Sequence, residues 1–121
     1  MQGDGFWLYD LRVETVLGDR VPVCRHVAGA SFRVEGETLV FEGETRVSMY
    51  ALAALLPLLP AKQRETDPAD WMTTDAEIAC PDPHCGGRFR VTRTGRLWFS
   101  HAETTGRPGA RGTPYWHKGE A

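Results

Sequence analysis

The chain has 121 residues, of which 41% are hydrophobic and 25% charged, and its formal net charge is −2. That size suits one domain able to bury a core without disulfides or metal, and the seven basic charges of residues 86–121, diluted by Gly and Pro, make too weak a patch for a nucleic-acid partner. No apolar run approaches the ~20 residues that span a bilayer, and Met1-Gln2-Gly3-Asp4-Gly5 lacks the basic and apolar regions of a signal peptide. A cytoplasmic protein without a membrane partner is therefore expected.

From the amino terminus, Phe6 to Leu17 alternates, with Trp7, Tyr9, Leu11, Val13 and Leu17 on one face and Asp10, Arg12 and Glu14 on the other. This is the pattern of a half-buried strand. Gly18-Asp19 makes a turn, and Pro22 marks the stretch up to Gly29 as irregular or an edge. Ser31–Val34 and Thr38–Phe41 are short β-prone runs joined by Glu35-Gly36-Glu37, which predicts a hairpin. Ser48 is a good N-cap for Met49 to Leu56, a run apolar nearly all round. One principal apolar helix is expected there, buried on most sides and ended or kinked by Pro57 and Pro60. Lys62 to Asp75 is polar, with Trp71-Met72 as a small anchor. Ala76 to Cys80 reads as a strand. Arg88–Thr94 and Arg96–Ser100 read as two more, with Thr94-Gly95 as a hairpin turn between them.

The expected fold is α+β: a mostly antiparallel sheet with one principal helix packed on it. It occupies residues 1–101, and residues 102–121 form an irregular tail rich in Gly, Pro and Arg. Charge is divided unevenly along this chain. Residues 1–85 carry −7 and residues 86–121 carry +5. The basic end is expected to fold back on the acidic body.

The chemistry-bearing residues are concentrated in two stretches. Cys80-Pro81-Asp82-Pro83-His84-Cys85-Gly86-Gly87 and Cys24-Arg25-His26 hold all three cysteines and two of the four histidines. An odd cysteine count argues against a disulfide framework. Thiolates with imidazoles are the donors that zinc, copper and iron prefer. Cys80 and Cys85, with four residues between them, fall within zinc-ligand spacing. The candidate metal ligands are therefore Cys24, His26, Cys80, His84 and Cys85. The doubled Cys-x2-Cys knuckles of a zinc ribbon are absent.

Two other readings stay open. Cys80 and Cys85, next to His84, would also serve as a reactive thiol and its resolving partner, and buried cysteines are often plain packing. Arg88 and Arg90 share a strand face and would grip a substrate carboxylate, or simply lie solvated. His101 and His117 are spare imidazoles. No His-Glu-x-x-His, Gly-x-Ser-x-Gly, phosphate-binding glycine loop or paired-carboxylate motif is present.

Several segments resemble a small uncharacterised family of bacterial and archaeal proteins. They are Leu11 to Val16, Cys24, Val27-Ala28-Gly29-Ala30-Ser31-Phe32, Ala51 to Leu58, Cys80-Pro81-Asp82-Pro83 and Phe89-Arg90-Val91-Thr92-Arg93. The resemblance spans about residues 9–94. It implies a compact α+β fold in which Cys24 and Cys80 belong together, and it carries no activity. His84-Cys85 and the longer carboxyl terminus depart from its pattern.

Taken together, the expectation is a small metal-binding protein holding one copper, iron or zinc ion. It is expected to be a metal-dependent oxidoreductase or tailoring enzyme, with Cys80, His84 and Cys85 at the reaction and a small molecule as substrate. The alternative is a non-catalytic module for binding or scaffolding, zinc-stabilised or thiol-containing. The apolar helix would serve a homo-oligomer interface.

Overall fold

A computed structural model of the protein describes residues 4–17, 29–74 and 76–104. Five strands form one antiparallel sheet in the order β3-β2-β1-β5-β4. They are β1 (Gly5–Leu17), β2 (Ser31–Glu35), β3 (Thr38–Val40), β4 (Glu77–Ala79) and β5 (Gly87–Ser100). The two long strands pair along their whole length, from Gly5↔Ser100 to Leu17↔Gly87. No helix of the described residues is long and apolar enough to cross a membrane.

The local rules held at several places. The β2–β3 hairpin forms with Glu35 paired to Thr38, and Gly36 supplies the positive φ of 62° that its two-residue turn requires. Ser48 caps the first helix, α1 (Met49–Leu55), its hydroxyl accepting from the amides of Tyr50 (3.2 Å) and Ala51 (3.4 Å). Ser48→Ala is expected to cost about 1 kcal/mol of stability, read as a lower midpoint in urea with an unchanged slope.

The single principal apolar helix is not what forms, and this corrects the expected α+β arrangement. Among the described residues the helices are four short ones: α1, α2 (Leu59–Lys62), α3 (Trp71–Thr74) and α4 (His101–Thr104). The longest has 7 residues. Leu56 still has helical backbone and donates to the Leu52 carbonyl, but Pro57 has no amide hydrogen to continue the ladder and so stops α1, while Pro60 sits in the first turn of α2 and starts it. Only Ala51 and Leu55 of α1, one turn apart, are buried, whereas Met49 is 70% and Tyr50 67% exposed. The run is apolar all round, yet one narrow face meets the sheet.

The expected hairpin at Thr94-Gly95 is also absent. β5 passes straight through it, and the register with β1 shifts there: Asp10 pairs with Gly95 and Leu11 with Arg93. Thr94 is the extra residue of a β-bulge, and its hydroxyl donates to the Asp10 carbonyl at 3.2 Å. Glycine within a strand serves such a bulge as readily as a turn. The bulge breaks the predicted alternation in β1. Leu8 and Leu11 are both buried although three apart, and Trp7 is 44% exposed against the edge of Trp98.

Beyond Leu11, β1 outruns β2, whose register ends at Leu11↔Val34. Gln63, just after α2, takes β2's place. Its carbonyl accepts from the Tyr9 amide (2.8 Å), and its side-chain amide donates to the carbonyls of Gly36 (2.7 Å) and Tyr9 (3.4 Å). The core face of the sheet carries Leu11, Val13, Phe32, Val34, Phe89 and Val91, and Ala51, Leu55 and Leu59 close it from the helical side.

Asp10 stands at the register shift. Its Oδ1 is covered and has no hydrogen-bond partner among the described residues. Burial first, then the charge of Glu35, raise its pKa above the ordinary 3.8, against a smaller lowering by the Gly36 backbone. A raised carboxyl pKa means the folded state holds its proton longer than the unfolded chain. The stability tied to protonated Asp10 is complete below 3.8 and is lost as pH climbs through the folded value. Asp10→Asn is therefore expected to raise the melting temperature slightly at neutral pH. The two proteins should converge in acid, as thermal scans from neutral to acidic pH will show.

Candidate functional site

The loop between β4 and β5 is built by turn chemistry legible in its residues. Asp82 opens a turn with Pro83 at its second position, closed by the Cys85 amide donating to the Asp82 carbonyl at 3.0 Å. The Asp82 carboxylate accepts from the His84 amide at 2.9 Å, which pins the turn from inside. At the base of the loop the Cys80 amide donates to the Gly87 carbonyl at 3.1 Å. Asp82 thus holds the loop through the backbone of His84.

This geometry turns both sulfurs inward. Cys80 is 6% and Cys85 3% exposed, and both belong to the hydrophobic core beside Phe89. Both side chains are thiols. Gly86 and Gly87 are both buried, and the Gly87 amide donates to Cys85 Sγ at 3.4 Å. An amide aimed at sulfur favours negative charge there, as a thiolate ligand requires. His84 is exposed at the tip.

The remaining predicted residues divide. Arg88 and Arg90 alternate with Phe89 on β5 and so stand on the opposite face of the sheet from the core. Arg90 pairs with Glu77 at 2.9 Å, and the Arg88 guanidinium donates to the Gly87 carbonyl at 2.8 Å. His101 begins α4, its amide bonded to the Asp4 carbonyl at 2.6 Å, at the other end of β5. Cys24, His26 and His117 lie outside the described residues. The segment carrying Cys24 and His26 has described ends, however. Leu17 pairs with Gly87, and the Gly29 amide donates to the Thr15 carbonyl at 2.8 Å. Both ends are thus held at the end of the central strands where the Cys80–Gly87 loop begins β5. Among the described residues no three His, Cys, Asp or Glu side chains are grouped to hold a metal ion.

A cleft of about 650 Å³ opens beside this loop, lined by Tyr50, Ala53, Ala54, Cys80, Pro81 and Asp82. Tyr50 and the two alanines were legible only as members of an apolar helix. Their exposure follows from α1 turning just one face to the sheet. Comparison with family models, curated proteins and solved structures finds no match to this chain.

Proposed function

We propose that this protein is a small Cys/His metal-binding protein in which Cys80 and Cys85 hold one transition-metal ion. The observation that carries this reading is the pair of buried sulfurs on one turn-locked loop, one of them accepting a backbone amide. Cys24 supplies a third donor and His26 a fourth, with His84 as the alternative imidazole. Chain length permits this: Cys24 lies five residues before Gly29, a reach of about 17 Å when extended. Zinc, copper and iron all accept this donor set. Because both sulfurs are part of the core, the ion's role is to fasten the loop and the 18–28 segment to the end of the sheet, which makes this a metal-stabilised binding module.

A second reading is a metal-dependent redox or tailoring enzyme acting on a small molecule. The cleft of about 650 Å³ at Cys80 favours it, since it gives a substrate access to the loop. There Tyr50 and Asp82 would orient the substrate, and the ion would supply an open coordination position. One experiment separates the readings. Protein purified without a histidine tag is assayed for metal and then melted with and without a chelator. One ion per chain whose removal lowers the melting temperature by many degrees marks the stabilising role. One ion whose removal leaves melting unchanged marks the enzyme. No ion after anaerobic reconstitution defeats both, leaving a reversible Cys80–Cys85 thiol–disulfide pair.

A further inference from the structure

The sequence leaves one feature that the metal site does not absorb: a basic carboxyl-terminal segment carrying Tyr115-Trp116. The fold leaves a groove of about 510 Å³, within the ~300–1,000 Å³ of ordinary binding pockets. It lies between the amino-terminal half of β1, the β2–β3 hairpin and the α1–α2 turn. Its floor is apolar, made by Leu8, Val34, Leu39, Leu56 and Leu59. Leu56 is 44% exposed there.

We propose that this groove is the docking site of the chain's own residues 105–121, with Tyr115 and Trp116 as the anchors. Three observations select this occupant. The first is where the segment starts: Thr104, the residue before it, is itself part of the groove wall. Tyr115 follows eleven residues later, and at about 3.3 Å per residue the anchors reach any point of the groove. The second is charge. Residues 105–121 carry Arg107, Arg111 and Lys118 against Glu120. The rim carries Glu37, which makes no ion pair among the described residues, while Arg64 on the same wall donates to the Pro60 carbonyl at 3.0 Å. Glu35, at the same turn, is already paired with Arg33 at 2.9 Å, so Glu37 is the rim carboxylate that faces the basic segment. The third is chemistry. Two adjacent aromatic rings bring about 150–250 Å² each of apolar area, suited to an aliphatic floor. Tethering supplies an effective concentration in the millimolar range, so even a weak site is filled by its own chain.

The test is methyl and amide NMR on the full chain at two protein concentrations, beside the Tyr115→Ala/Trp116→Ala double variant. Expected are nuclear Overhauser contacts from the Trp116 indole to the Leu39 and Leu56 methyls. In the double variant those contacts vanish and the two leucines' methyl resonances shift, while the amides of β4 and of the Leu17–Gly87 end of the sheet stay in place. Trypsin cleavage after Arg111 should then quicken several-fold. Glu37→Lys should produce the same changes in part. Leucine methyls unmoved by the double substitution would overturn the proposal. So would wild-type methyl shifts that change with protein concentration, which would put a second copy in the groove. None of these outcomes depends on the metal.

Discussion

Phe89→Ala is expected to lower the free energy of unfolding by about 3–5 kcal/mol, a large part of the ~5–15 kcal/mol that holds a domain of this kind together. Phe89 is among the largest fully buried side chains, 2% exposed at the middle of the sheet. It pairs with Thr15 on one side and Ile78 on the other. Truncating it opens a cavity where β1, β4 and the thiol loop meet. Arg90→Ala, one residue on but facing out, removes only the exposed pair with Glu77 and should cost under about 1 kcal/mol. Equilibrium urea denaturation of the two variants measures the contrast. Equal losses would mean that β5 does not present Phe89 and Arg90 to opposite faces.

On the proposed metal-binding reading, Cys85→Ser is expected to leave almost no metal bound where the unsubstituted protein holds one ion per chain. Changes to residues that merely support metal ligands cost about 10–100-fold in affinity, and a lost ligand should cost more. Serine preserves the size of the side chain and a group able to accept from the Gly87 amide, so the turn at Asp82–Cys85 is retained. The measurement is metal content by elemental analysis after dialysis, with the melting temperature recorded on the same samples. Wild-type metal content in the variant would remove Cys85 from the ligand set. A parallel loss in Cys80→Ser is expected, and a retained ion there would remove that residue in turn.

Much of this protein is written in short-range signals. The alternation of Leu11 and Val13 places them on the core face, the Ser48 hydroxyl caps α1, Gly36 turns the β2–β3 hairpin, and Asp82-Pro83 folds the site loop. Each depends on residues within a few positions of one another, so backbone sterics and local hydrogen bonds suffice. Other features passed unread. Thr94-Gly95 carries the same local preference whether it turns the chain or bulges it. The choice fell to β1, which supplies a partner along the whole of β5 and leaves Thr94 as the residue out of step. Gln63 gave no signal at all, because its role is to satisfy Tyr9 and Gly36, both distant in the chain.

The candidate site shows the same division. The amino-acid order was enough to mark Cys80, His84 and Cys85 as residues on one proline-stiffened loop and to mark α1 as helical. It was not enough to say that both sulfurs join the core, that the arginines beside them face away, or that α1 stops after 7 residues with most of its surface uncovered. Those outcomes rest on strand register and on how much sheet area exists to cover a helix. Both are set by pairing between residues as far apart as Gly5 and Ser100, beyond the range of any local pattern.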